Sequence, residues 1–324
     1  MAEPYAPEPY APEREILIPG AGFPQPVMAM RNLHKTYGSL PVLNGLSLQI
    51  HAGEVYGFLG RNGAGKSTAI RILMGITQPT QGEIELFGEP AQGQFIKARQ
   101  RIGYVAQEQN FYPWMTAKTL SRFVAPLYPR WSHDRFKQLM TRFDLPHERK
   151  VGTFSGGMKA RLALSLALAT QPELLLLDEP TAGMDPVARR EFLDLVHEHA
   201  LSEGAAIFFS THLIDDIESV ANRIGIIESG RTIYEGGLEP LARSVKTFSA
   251  PLGDPSAGEQ PVQADFAGGL PYQVLRDRQR GGRRIVTVRY AEPVPNQFSL
   301  TTGWRSDPMS LEDAFIAIVT ATRA

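Results

Sequence analysis

The sequence predicts an α/β fold in which helices pack on a mainly parallel sheet, followed by a small α+β module. Three observations predict it. Short apolar runs recur at Val55–Leu59, Ile102–Val105, Leu174–Leu177, Ala206–Ser210 and Ile224–Ile227. They lack polar alternation, which marks strands buried on both faces. Helical periodicity occupies the intervals, as in Phe136, Leu139, Met140 and Phe143 after Ser132, so helices cover the sheet. After Gly237 the composition turns rich in Gly, Pro, Ala and Ser, which sets the last segment apart.

The bulk properties narrow the function classes. The chain has 324 residues, 43% hydrophobic and 21% charged, enough to bury a sizeable core. Its 33 basic and 34 acidic side chains leave a net charge of −1. That balance carries no bulk signal for nucleic-acid or anionic-membrane binding. There is no cysteine, which excludes disulfides, Cys-ligated zinc, Fe–S clusters and thiol catalysis. The first residues carry no basic segment followed by an apolar one, so no secretory signal is read. The longest apolar stretches, Leu162–Ala169 and Leu174–Leu177, fall far short of the roughly 20 residues of a membrane span. At a membrane this chain is expected to act as a subunit docked on something else.

The elements follow in order. Residues 1–26 contain seven prolines and repeat Glu-Pro-Tyr-Ala-Pro at Glu3–Pro7 and Glu8–Pro12. Proline fixes φ and lacks an N–H, so an extended, mostly disordered tail is expected. A solvated tail is favoured over a tyrosine-bearing docking peptide. The run Val55–Leu59 leads into Gly60, Arg61, Asn62, Gly63, Ala64, Gly65, Lys66 and Ser67, then a helical stretch from Thr68 to Met74. This matches G-x-x-x-x-G-K-[ST] between a strand and a helix, the setting the motif requires. Glycines let backbone N–H groups close on phosphate oxygens, and the helix N-terminus favours anions. Lys66 is placed to reach the β- and γ-phosphates, and the Ser67 hydroxyl to ligate Mg²⁺.

Downstream, the run Leu174–Leu177 delivers Asp178 and Glu179. Asp178 at a buried strand's C-terminal end can hold a Mg²⁺ shell. Glu179 can polarise an attacking water. Between the two motifs, Ser155, Gly156 and Gly157 precede the helix Met158–Ala169, a second anion site or an ordinary helix cap. His212 follows the strand Ala206–Ser210 at its C-terminal end, the side where ligands bind in such sheets.

With these motifs in hand, the chain resembles the nucleotide-binding subunits of ABC transporters across roughly residues 27–237. Tyr37 looks like the aromatic that stacks on adenine, Gln107 like the Q-loop glutamine, and Ser155-Gly156-Gly157 like the signature motif. Gly183-Met184-Asp185 looks like the D-loop, and His212 like the switch histidine. The resemblance implies ATP as ligand, with Mg²⁺ at Ser67, Gln107 and Asp178, and ATPase chemistry at Glu179, His212 and Lys66. Tyr37, Gly60 to Thr68, Gln107, Ser155 to Gly157 and Asp185 would contact nucleotide. It further implies a head-to-tail dimer, expected to be a homodimer, in which one subunit's signature caps ATP on the other's phosphate loop. Integral-membrane permease subunits are the expected partners, nucleic acid is not, and the cytoplasmic face of the membrane is the expected place.

Phe154, Met158 and Met184 stand where Leu, Gln and Leu are commonest in the family, and Phe-Ser-Gly-Gly-Met-Lys-Ala-Arg-Leu is similar to the subunits serving ABC-2-type exporters. So is the ending Met309-Ser310-Leu311-Glu312-Asp313-Ala314-Phe315. A soluble ribosome- or DNA-acting relative is the competing class. Its second cassette or long coiled coil has no counterpart here, and the segment 108–153 is too short for the latter. An importer's larger C-terminal domain would not fit easily in 238–324. The expected organisation is a tail over 1–26, an ATPase domain over 27–237 with a helical subdomain near 108–170, and an accessory domain over 238–324. In that last part Tyr272–Arg276 and Arg284–Tyr290 read as a hairpin turned near Gly281-Gly282. A closing helix is expected from Ser310, with the stripe Leu311, Ala314, Phe315 and Ile318. Two features stay open. Phe111, Tyr112 and Trp114 fit a permease groove or ordinary packing. The cluster Arg276, Arg278, Arg280, Arg283 and Arg284 reads more readily as a solvated turn than as a nucleic-acid or lipid contact.

Overall fold

A computed structural model describes residues 25–252, 271–291, 294 and 304–322. The repeat-bearing segment 1–24 lies outside the described residues. A six-stranded sheet organises the chain. Its order is β10 (Arg231–Gly237), β9 (Arg223–Glu228), β3 (Val55–Gly60), β8 (Ala206–Thr211), β7 (Leu174–Asp178) and β6 (Ile102–Val105). All neighbouring pairs are parallel except β9 and β10. That exception is a hairpin turned on Ser229 and Gly230, with φ of 49° and 76°, the signs a two-residue type I′ turn requires.

The apolar runs behave as two-faced strands. Leu175, Leu177, Ile207 and Phe209 belong to one core cluster, and Leu174, Leu176, Ala206 and Phe208 to another. Alternate side chains therefore feed opposite layers, so no position in the run can be polar. The first layer holds α5 (Gly156–Ala169) and α6 (Pro186–Glu203), through residues such as Leu164 and Phe192. Helix α4 (His133–Arg142) also packs there, capped by Ser132, whose hydroxyl accepts from Arg135 N. The second layer holds α1 (Lys66–Leu73) and a four-stranded antiparallel sheet. Its order is β2 (Leu40–Ile50), β1 (Met28–Tyr37), β4 (Gln81–Leu86) and β5 (Glu89–Pro90).

That antiparallel sheet was not read from the sequence. Its pairing is interrupted by register shifts between Met30 and Leu33 and again between Lys35 and Thr36, and Asn32 turns at φ 50°. Each bulge breaks the period of two that strand recognition depends on.

Beyond Gly237, the Gly- and Pro-rich stretch begins with α8 (Leu238–Ser244) and β11 (Val245–Pro251). A third sheet follows, ordered β12 (Tyr272–Arg280), β13 (Arg283–Tyr290), β11, β14 (Arg305–Asp307). The β12–β13 hairpin turns on Gly281 and Gly282 with φ of 58° and 70°, where a Cβ is disfavoured. Its first strand runs four residues beyond the expected Arg276. One face of this sheet carries its own core of Phe248, Val286, Val288, Tyr290 and Trp304, among others. Helix α9 (Leu311–Ala321) is capped by Ser310, whose hydroxyl accepts from Asp313 N at 3.0 Å. Its stripe of Leu311, Ala314, Phe315 and Ile318 is buried and continuous with the first core layer, as are Leu241 of α8 and Val245 of β11.

Ile318 is 3% exposed, and truncating a buried Ile leaves a cavity. Ile318→Ala is expected to destabilise the chain by about 3 kcal/mol, read as a lower urea midpoint. An unchanged midpoint would mean that α9 is not docked.

Candidate active site

Parallel strands align their C-terminal ends, so β3, β6, β7 and β8 deliver their following residues to one edge of the sheet. Register sets the pairs: Leu59 faces Thr211, and Asp178 faces Ser210. Five of the side chains singled out in the sequence meet at this edge: Lys66, Ser67, Gln107, Asp178 and His212, arranged around Glu179.

Gly60 and Gly65 shape the loop. A Cβ on Gly60 would lie 2.6 Å from Ile227 Cγ2 and 2.7 Å from its carbonyl oxygen. Gly65 has φ 111°, and a Cβ there would meet Leu43 Cδ2 at 2.7 Å. Gly65 is the N-cap of α1 and offers no side-chain cap, so the first-turn N–H groups of α1 remain available to a ligand. By contrast, Thr116, Ser132, Ser155, Asp185 and Ser310 all cap their helices with side-chain oxygens.

Lys66 is 4% exposed. Its Nζ donates to the carbonyls of Gly60 at 2.8 Å and Arg61 at 3.2 Å, and lies 3.0 Å from Glu179 Oε1. The other carboxylate oxygen, Glu179 Oε2, accepts from Gln107 Nε2 at 3.4 Å and stands 3.1 Å from His212 Nδ1. An ionised carboxylate only accepts, so this contact selects the Nδ1–H tautomer. Glu179 is 7% exposed and sits at φ 44°, a left-handed conformation that costs a non-glycine residue energy and clusters at functional sites. Its N–H is held by Ser210, through the carbonyl at 3.0 Å and the hydroxyl at 3.2 Å.

Asp178 lies beside this pair. Its Oδ1 accepts from Ser210 Oγ at 2.8 Å and Ser67 Oγ at 3.2 Å. Burial pushes its carboxyl above the usual range, and the two hydroxyls only partly offset that. A buried carboxylate joined to a hydroxyl is a hard-oxygen donor set of the kind Mg²⁺ takes when phosphates complete the shell. The uncapped glycine loop and buried ammonium likewise fit a phosphate group. Two positioning residues escaped the sequence reading. Ser210 was seen only as a strand end, though it grips both Asp178 and Glu179. Asp216 is fully buried, accepts from Thr181 Oγ1 at 2.6 Å and pairs with Arg189, tying the segment after Glu179 to α6. A double aspartate at 215–216 gives no sign of burial in sequence.

The remaining candidates are not gathered here. Ser155 spends its hydroxyl on Met158 N at 3.2 Å. A Cβ on Gly156 would meet nothing within 4 Å, and one on Gly157 only Met184 Cγ at 4.0 Å. Those glycines therefore face open space beside the Met184–Asp185 turn. Asp185 caps α6 through Val187 N and Ala188 N, which hold its carboxyl below the usual range. Tyr37 is 44% exposed, with Lys35 Nζ 4.8 Å from its ring centroid. Among the described residues no hydrogen bond or ring contact joins it to the loop.

Comparisons with known proteins agree with this fold. A family profile described as ABC transporter matches residues 43–182. The Nod factor export ATP-binding protein I of Burkholderia pseudomallei is 38% identical over 307 residues, covering 89% of this chain and 95% of its own. The bacitracin transport ATP-binding protein of Bacillus licheniformis is 38% identical over 224 residues, 68% of this chain and 73% of its own. Among solved structures, an ATP-binding subunit of an ABC transporter aligns with a TM-score of 0.62 at 27% identity, covering 67% of this chain and 92% of that one. A dimeric ATP-binding cassette in a post-hydrolysis state with ADP and phosphate aligns with a TM-score of 0.60 at 25% identity, over 65% of this chain and 98% of that one.

Removing the ammonium leaves Glu179 buried without its counter-charge. Lys66→Met is expected to lower the stability of the nucleotide-free chain by about 3 kcal/mol, and adding Glu179→Gln to recover part of it. Urea unfolding of both variants checks this; equal midpoints for Lys66→Met and wild type would contradict the ion pair.

Proposed function

The chain belongs to the ABC transporter family, and from that premise we propose how this ATP-binding subunit hydrolyses ATP and what it drives. The observation that carries the reading is the three-way hold on Glu179 by Lys66, Gln107 and His212. Without nucleotide, Lys66 neutralises Glu179. The β- and γ-phosphates of ATP compete for the same ammonium. Once Lys66 turns to them, Glu179 keeps His212 and Gln107 and becomes the base that polarises the attacking water. Mg²⁺, held by Ser67 and Asp178 with Gln107 nearby, would supply charge neutralisation on the transferred phosphoryl oxygens. His212 fixes the orientation of Glu179 and would contact the γ-phosphate of bound ATP.

The anion equipment of one chain is divided. The loop 60–67 belongs to one nucleotide, while Ser155, Gly156, Gly157 and Asp185 face outward and cap the nucleotide of a second subunit. Tyr37 supplies a face for adenine from the end of β1. ATP then closes a head-to-tail dimer, and hydrolysis releases it. The open surroundings of Gly156 and Gly157 support this reading.

The driven partner is a separate integral-membrane permease of the ABC-2 exporter type. The relative named for Nod factor export supports export over import. Among the described residues no helix is long and apolar enough to cross a membrane, so attachment to the cytoplasmic face would come from the permease. We place the ATPase domain at 27–237, its helical subdomain near 108–170, and an accessory module at 238–324 that shares a core layer with it through α8 and α9.

Glu179→Gln keeps shape and one accepting oxygen but loses basicity. ATP turnover is expected to fall at least about 100-fold, while ATP still binds and the subunits accumulate as a dimer in size-exclusion chromatography. His212→Ala is expected to slow turnover with less dimer. A Glu179→Gln chain that hydrolyses at the wild-type rate and stays monomeric at saturating ATP would contradict the mechanism.

A further inference from the structure

The third sheet has one face packed and one face divided. On the packed face lie Phe248, Val286, Val288 and Tyr290. On the other, the register aligns Arg278, Ile285, Ser249 and Arg305 in one row across four strands. In the adjoining row Arg280 stands directly opposite Arg283. The next row the other way holds Thr287 and Thr247, where Thr247 meets Met309 just ahead of α9. One end of this face is therefore covered, and at the other end Arg278, Arg280 and Arg305 are exposed.

The arginine end is built around one hydroxyl. Ser249 is 1% exposed. Its Oγ accepts from Arg283 Nη2 at 3.1 Å and from Arg305 Nε at 3.2 Å, and its carbonyl accepts from Arg283 Nη2 at 3.1 Å. Two guanidinium groups thus converge on one neutral group. Arg278 and Arg280 have no ion-pair partner among the described residues. Among the described residues, the carboxylate that pairs within the cluster is Asp307, 3.2 Å from Arg305 Nε. Like charges directly opposite on neighbouring strands destabilise a sheet, and among the described residues no carboxylate pairs with either Arg280 or Arg283. Guanidinium forks match the oxygens of tetrahedral oxyanions in paired hydrogen bonds. Among the described residues, the rows that carry these arginines hold no aromatic side chain on which a base could stack, which favours an oxyanion over single-stranded nucleic acid.

We propose that Arg283 and Arg305, seated on Ser249 and flanked by Arg278 and Arg280, form a binding site for a phosphate-class oxyanion, separate from the nucleotide site. The ligand chemistry is a phosphate oxyanion, presented either as the monoester of a soluble phosphorylated compound or as the phosphodiester of an anionic phospholipid headgroup. The site is independent of the nucleotide reading above.

Arginine Nε–Hε resonances of the full chain report on it directly, with Arg283→Lys and Arg305→Lys identifying the two signals. Titration with inorganic phosphate, against sodium chloride of equal ionic strength, is expected to shift both signals saturably. Arg283→Gln should weaken that saturation at least tenfold. Arg305→Gln, at a more exposed side chain, should do the same with an unchanged melting temperature. Vesicle flotation separates the sources. Capture by phosphatidylglycerol but not phosphatidylcholine vesicles, lost in both Gln variants, assigns a headgroup; saturable shifts without flotation assign a soluble phosphate. Shifts that grow linearly and equally with chloride, together with no variant-sensitive flotation, would overturn the site. So would saturation untouched by both Gln variants, or flotation that survives them.

Discussion

A buried ion pair between Lys66 and Glu179 is the constraint around which the nucleotide edge is organised. Each side chain is less than a tenth exposed. Removing such charges from water costs several kcal/mol per ion, and the pair is tolerable only with further hydrogen bonds on both partners. Those bonds come from four strands. β3 provides the carbonyl of Gly60, β7 places Glu179, β8 supplies Ser210 and leads to His212, and β6 leads to Gln107. The parallel register is what brings these groups to one place, so the sheet's topology and the site's chemistry are one requirement. The left-handed backbone at Glu179 is held by Ser210 and by the Thr181–Asp216–Arg189 network behind it.

The same arrangement explains why nucleotide can change the state of the protein. On the proposed mechanism, an ammonium already committed to a carboxylate exchanges partners when phosphate arrives, and does not need to be desolvated anew. In the proposed mechanism this exchange frees Glu179 to act as base once its substrate is in place. Meanwhile Ser155 and Asp185 are spent on capping their own helices, and the glycines beside Ser155 look outward. On the proposed reading, a single chain holds a loop for one nucleotide and an outward-facing lid for another.

Much of this was legible in the sequence because it rests on local rules. The phosphate loop, the carboxylates after Leu177, and His212 after its strand are fixed by short-range patterns. The Gly281-Gly282 hairpin and the Ser310 cap are likewise short-range turn and cap chemistry. The N-terminal antiparallel sheet was not legible, because bulges near Asn32 and Lys35 break its alternation. Ser210 and Asp216 were hidden for another reason: their roles exist only once distant segments meet, and a serine or aspartate carries no mark of burial. The arginine cluster was read as a solvated turn. Strand pairing adds what the sequence could not give: Arg278 and Arg280 share a face with Arg283, while Arg284 turns to the other side and pairs with Asp277 at 2.6 Å.

The claim that the site is completed by a second copy is tested most directly by complementation. Lys66→Ala spoils the phosphate loop and Ser155→Arg spoils the lid. In a head-to-tail dimer of the two variants, one nucleotide site carries both lesions and the other carries neither. Each variant alone should be inactive, and their equimolar mixture should recover roughly a quarter of wild-type ATPase activity, since half the dimers are mixed and each has one intact site. A mixture as inactive as its components would contradict the account, because it would mean that loop and lid serve the same nucleotide within one chain.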